Sequence, residues 1–279
     1  MNDHTQSLSS SEFEHVTFVA EVAAGQTVLM EFPEPIKRRA VLVRSGPAGT
    51  HPQPVPADDL LILSVPAPVQ EDADLLAHVR AWVDAATPDN DRKSQMIALQ
   101  GAQIFWAPGC AALLTHADRH ATVRKALIEF SYYEGELRAI ERDLGGLWPE
   151  LEADAPLAFE FNEKSVRKRQ LLSRRFQQVL AIRSRLAWIT PHVLCPHLHP
   201  PTLASQVGER LRERTRLTHR LEFISGQLEI FERVYELCGQ RASDFMHARM
   251  SHTLEWVIII LLLAQTILVS VDLMSTLGK

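Results

Sequence analysis

Residues 254–273 read LEWVIIILLLAQTILVSVDL, and the sixteen positions from Trp256 to Val271 carry no charged side chain. The apolar layer of a bilayer is about 30 Å thick and takes about twenty helical residues to cross. Leu254 to Leu273 meets that length, with Glu255 and Asp272 at the two interfaces and Trp256 placed as an interfacial anchor. A helix that is apolar on every face is either enclosed by protein or set in lipid. The stretch is therefore expected to be a single transmembrane helix over residues 253–274, its anchor motif being Leu254, Glu255, Trp256, Val257, Ile258 and Ile259. The competing reading is a buried core helix, for which Gln265 and Ser270 speak.

Working outward from that run, Leu217, Leu221, Ile224, Leu228, Phe231, Tyr235 and Cys238 step alternately by four and three residues. Such a heptad seam suits a coiled coil between chains and the buried stripe of a helical bundle equally well. A second seam, Leu172, Phe176, Val179, Ile182, Leu186 and Ile189, is expected to stop at Pro191. A third, Val123, Leu127, Phe130, Leu137, Ile140, Leu144 and Leu147, has Glu134 at one seam position and is expected to close at Pro149 and Pro156. Residues 109–252 thus read as a long helical, coiled-coil-like hairpin with a Pro-rich turn at 190–201.

Residues 1–108 have a different grain. FEHVTFVAEVA, RRAVLVR, LLILSV and MIALQGAQIFW read as strands separated by Pro, Gly and Asp clusters. One amphipathic helix interrupts them, with Leu75, Leu76, Val79, Trp82 and Val83 on one face. The fold class is α+β: a small head, then helices. No G-x-G-x-x-G, G-x-x-x-x-G-K-S/T, G-x-S-x-G or H-E-x-x-H pattern occurs, so no common nucleotide, hydrolase or zinc-protease signature is present. A non-enzymatic chain is favoured over an enzyme on that ground. Three widely spaced cysteines predict neither a disulfide framework nor a thiolate zinc site. The first twelve residues lack a basic residue and an apolar run, so a secretory signal is not expected, and the head is expected in the cytoplasm with the anchor in the inner (cytoplasmic) membrane.

Charge is segregated along the chain. The net charge is −13 over residues 1–163, +11 over 164–220 and −3 over 221–279. The basic block comprises Lys164, Arg167, Lys168, Arg169, Arg174 and Arg175, then Arg210, Arg212, Arg214 and Arg216, with Arg183, Arg185 and Arg220 on the same segments. It is a candidate surface for RNA or a ribosome, or for anionic lipid, unless the acidic residues of the head and first helix neutralise it. His192, Cys195, His197 and His199 are four zinc-type ligands within eight residues. Structural zinc sites draw ligands from two chain segments, and four nearby prolines suffice to make a rigid turn, so no cofactor is expected, with zinc as the alternative. His116 and His120 are read as a solvated helix start.

The C-terminal stretch, with the preceding RLEFISGQLEIFERVYEL and the W-x-x-P of Trp188 to Pro191, resembles the Required-for-Meiotic-nuclear-Division family, also called the YagE or sporulation-protein family. The resemblance implies an α+β head, a helical hairpin and a membrane helix entered through Leu254 to Ile259. It further implies a membrane-tethered scaffold, because mitochondrial members are implicated in supporting organellar translation by tethering ribosomes to the inner membrane; a homo-oligomer is expected if the heptad seams pair between chains. A bacterial inner-membrane member is the identity it points to.

Overall fold

The structure, a computed structural model, describes residues 11–48, 55–56, 58–66, 72–87, 93–159, 166–194 and 202–277. The chain divides into two compact units, Met1–Arg142 with Ser184–Ser225, and Asp143–Arg183 with Gly226–Lys279.

The first unit is built on one seven-stranded sheet. Its strands are β1 (Glu12–Val19), β2 (Thr27–Glu31), β3 (Arg39–Pro47), β4 (Leu60–Pro66), β5 (Gln95–Leu99), β6 (Ala102–Ala107) and β7 (Cys110–Thr115), in the order β2-β3-β1-β4-β7-β6-β5. Every neighbouring pair is antiparallel except β4 with β7. A parallel pair needs a crossover, and α1 (Ala73–Ala86) supplies its helix. Asp72 caps α1 by accepting from the N–H groups of Asp74 and Leu75 at 3.0 and 3.2 Å. Leu75, Val79, Trp82 and Val83 then pack on Leu61, Leu63 and Val65 of β4 and on Phe105, Ala112 and Leu114. The long helix α2 (Ala117–Asp154) buries Val123, Leu127 and Phe130. Its Ser131 Oγ accepts from Trp106 Nε1 at 3.0 Å, and Phe130 meets the Trp106 ring edge-on at 5.1 Å.

Two expectations about this sheet need correction. Helix was expected from residue 109, yet Cys110–Thr115 is a fully buried strand and the helix starts at Ala117. A strand covered on both faces has no polar alternation, so CAALLT offers no period by which to tell it from a helix. MIALQGAQIFW is a hairpin rather than one strand. Gln100 and Gly101, at φ 48° and 80°, form its two-residue turn, a geometry in which glycine costs nothing. The edge strand β2 was not foreseen, because TVLME is short and mostly exposed.

Three further helices follow: α3 (Arg169–Leu194), α4 (Leu203–Thr215) and α5 (Leu217–Leu277). In the first unit the end of α3 runs antiparallel to α2, with Tyr133 stacked on His192 at 5.1 Å and Arg185 3.4 Å from Glu136. In the second unit α3 runs antiparallel to α5, through Arg183–Glu232 at 3.5 Å and a 3.7 Å approach of Arg169 to Met246. There α2 runs with α5, the Trp148 and Phe231 rings meeting at 4.9 Å. Pro149 and Pro191 do not end their helices, contrary to expectation. Each deletes one backbone hydrogen bond, but the buried stripe continues across it, Leu144 to Leu151 in α2 and Ile189 to Val193 in α3. The break instead falls at Arg216, whose left-handed backbone (φ 51°) lets its N–H bond the Arg212 and Glu213 carbonyls.

The heptad seam from Leu217 to Cys238 is at most 5 % exposed within a single chain. Its apolar side chains are therefore spent inside the molecule, and the bundle reading replaces that of a coiled coil between chains.

Candidate functional site

α5 is the one helix among the described residues that is long and apolar enough to cross a membrane; its best eighteen-residue window has a mean hydropathy of 2.1, none of it buried. Every residue from Met246 to Ser270 is exposed. Leu254, Trp256, Val257, Ile258 and Ile259 are 47 to 60 % exposed, and Glu255 is exposed with them. A core helix shows one wet face and one dry one; this one shows apolar side chains on all sides. Its polar residues are partly satisfied internally. The Thr266 and Ser270 hydroxyls donate to the Leu262 and Thr266 carbonyls, each at 2.8 Å. Such back-bonding removes the strongest objection to placing hydroxyls in hydrocarbon. Eleven Val, Ile and Leu side chains lie between Trp256 and Val271, and at about −0.3 to −0.6 kcal/mol each they favour insertion by roughly 3 to 7 kcal/mol. Trp256 Nε1 donates to His252 Nε2 at 3.1 Å, holding the indole at the entrance of the run.

The basic block divides into paired and unpaired members. Arg175 is only 19 % exposed, donates to the buried Asp154 and lies 2.9 Å from Glu150, so it is a structural cation rather than a docking one. Burial pulls its pKa down, but the hydrogen bond and charge of Asp154 outweigh that and leave it raised. Lys168 is 3.9 Å from the same carboxylate and half exposed. Arg220 forks onto Glu141 at 2.7 and 2.6 Å and reaches the buried Glu134 at 3.0 Å. Glu134, the acidic residue at an apolar seam position, is thus explained by Arg220 and by Arg138 one turn on, at 2.6 Å. Arg210 pairs with Glu213 at 2.8 Å on the surface. Arg174, Arg212, Arg214 and Arg216 make no ion pair among the described residues, Arg169 is exposed, and Arg167 is exposed with a partner of its own. Arg210, Arg212 and Arg214 lie on α4 and Arg216 in the joint after it. Lys164 lies outside the described residues.

Of the four candidate zinc ligands, His192 is described; Cys195, His197 and His199 lie outside the described residues. The His192 ring is half-buried and stacks on Tyr133. It lines a cleft of about 450 Å³ with Lys125, Glu129, Phe130 and Arg212. Among the described residues no group of three or more His, Cys, Asp or Glu side chains is placed to hold a metal. Cys110 and Cys238 are free thiols, both buried. Burial raises both pKa values, that of Cys238 to about 11.

His120, expected in water, is half-buried instead, its Nε2 2.8 Å from Ser64 Oγ. Burial, then the charge of Arg124, lowers its pKa. The i, i+4 pairing with His116 gave no hint of this, because the contact is made across fifty-six residues to β4.

Comparison with known protein families and with characterised proteins finds no match to this chain.

Proposed function

We propose that the chain is a single-pass, membrane-anchored scaffold without catalytic activity, held by α5 from about Leu254 onward and presenting its α+β unit to a partner in the cytoplasm. The observation that carries this reading is the run from Leu254 to Val269, exposed on all faces, with its hydroxyls bonded back to the helix. Exposed apolar patches beyond a few hundred Å² mark membrane or protein contacts, and the length here suits the first. The inner (cytoplasmic) membrane is the bilayer proposed. The resemblance to the Required-for-Meiotic-nuclear-Division family supports translation machinery as the partner, with Arg174, Arg212, Arg214 and Arg216 as the cations left to meet it. Homo-oligomerisation belongs to the same proposal; its surface would lie outside the Leu217–Cys238 seam.

The test is carbonate extraction and vesicle flotation of the full chain beside a truncation ending at Ser251. The expected result is that the full chain stays with the membrane and the truncation does not. Full-length protein that is soluble without detergent and larger than a monomer would overturn the anchor and assign α5 to an interface between copies.

A further inference from the structure

In the first unit, α2, the end of α3 and the start of α4 border a cleft of about 450 Å³, within the range of small-molecule sites. Two ring-bearing residues line it, the buried Phe130 and the half-buried His192. The His192 ring lies nearly parallel to that of Tyr133, at an interplanar angle of 9° and 5.1 Å between centroids, an offset stack. Tyr133 is 2 % exposed and stands outside the lining, so the imidazole is the outer ring of the pair.

Among the described residues, Glu31, Lys125, Glu129 and Arg212 are the charged side chains that border the same space. Glu31 is taken by Arg39 at 2.8 Å, and Glu129 has a partner of its own. Lys125 and Arg212 line the cleft with no ion pair among the described residues. Lys125 is exposed on α2, whereas Arg212 is half-buried on α4. The Arg212 guanidinium is set against Gly208, one turn earlier: a Cβ there would lie 3.6 to 3.9 Å from its atoms, so the bare backbone leaves the group room to lie along the helix. The N-terminus of α4 is already satisfied, because Thr202 and Ser205 cap it reciprocally. An anion in this cleft therefore meets the two cations and not a helix end.

We infer that this cleft binds a nucleoside phosphate, its base laid on the face of His192 that Tyr133 does not cover and its phosphate held by Arg212 and Lys125. Histidine is among the side chains on which bases stack, and Tyr133 behind the imidazole extends the stack to three rings. A guanidinium matches two phosphate oxygens at once, and a lysine adds a point charge. The ring surfaces of His192 and Phe130 favour a ligand with a planar apolar part over inorganic phosphate. The cleft lies wholly within the first unit, so its ligand does not depend on how α5 meets the membrane. A free nucleotide and an unpaired nucleotide of an RNA strand offer the same chemistry.

The experiment is calorimetric titration of the full chain in detergent with adenosine monophosphate, inorganic phosphate and hexaadenylate. The mononucleotide is expected to bind at least about fivefold tighter than inorganic phosphate, the lower end of what stacking one base contributes. R212Q should weaken it by about tenfold or more, as loss of a charge-assisted hydrogen bond does, with hydrogen exchange of residues 127–141 unchanged. H192A should bind the mononucleotide no better than inorganic phosphate. H192F, which keeps a ring on Tyr133, should stay within about threefold of the unaltered chain, and it carries the test if H192A fails to fold. Hexaadenylate bound more than about tenfold tighter than the mononucleotide, with the binding lost in R212Q, supports the site and assigns its nucleotide to a strand; comparable affinities support it and assign the free molecule. Inorganic phosphate that binds as tightly as the mononucleotide, an affinity unmoved in R212Q, H192F that binds as weakly as inorganic phosphate, or binding of none of the three overturns the site.

Discussion

Arg220→Met separates the structural part of the basic block from the part free to dock. The substitution keeps the stem that packs beside α2 and removes the fork onto Glu141 and the single bond to Glu134. Glu141 is 30 % exposed and can recover water, so its loss is that of a partly solvated pair, about 1 kcal/mol. Glu134 is 3 % exposed and cannot; it keeps Arg138 but loses one charge-assisted bond, about 1.5 to 3 kcal/mol. The sum is roughly 3 kcal/mol against the first unit. Because the chain has two units, a single melting curve would blend them. Hydrogen exchange of the full chain in detergent, read on peptides covering residues 127–141, isolates the right one, and its opening free energy should fall by about that amount. Glu134→Gln added to Arg220→Met should return about 1 kcal/mol or more, because it removes the charge left behind. A loss under about 0.5 kcal/mol for Arg220→Met, or further loss on adding Glu134→Gln, would refute the claim that Arg220 is a needed partner of Glu134 in a dry site.

Leu228→Ala, at a fully buried position of the α5 seam, should destabilise the second unit by about 2 to 5 kcal/mol without changing the native mass by light scattering; a shift toward a smaller species would place that seam between chains. Unfolded, His120 takes up a proton near the usual value of 6.5, while the folded chain resists it. Stability should therefore fall as pH drops through and below 6.5, and His120→Gln should flatten that slope in denaturation midpoints measured from pH 7.5 to 5.5. Cys110 and Cys238, buried and with raised pKa values, should resist iodoacetamide in the folded protein and react in denaturant, as read by peptide mass.

The repeat of apolar residues along the chain determined a good deal by itself. The face of α1, the three helical seams and the apolar end of α5 are local patterns, because the residues that make them are three or four apart and share a helix face. The α+β class and the C-terminal apolar helix were legible for that reason. The strand Cys110–Thr115 was not, since a segment buried on both sides carries no period, and only its place between β4 and β6 gives it a reason to be a strand. Pro149, Pro191 and Arg216 show the same limit for helix ends: the prolines read as stops and the arginine as ordinary, but packing on either side of each proline outweighed one lost hydrogen bond. Charge was the least legible property of all. Counting gave +11 for residues 164–220, but the sequence could not say which of those cations were free. Tertiary structure decided that, placing Glu134, Glu141 and Asp154 beside Arg220 and Arg175 across 21 to 86 residues. An ion pair depends on distance in space, which neither composition nor spacing encodes.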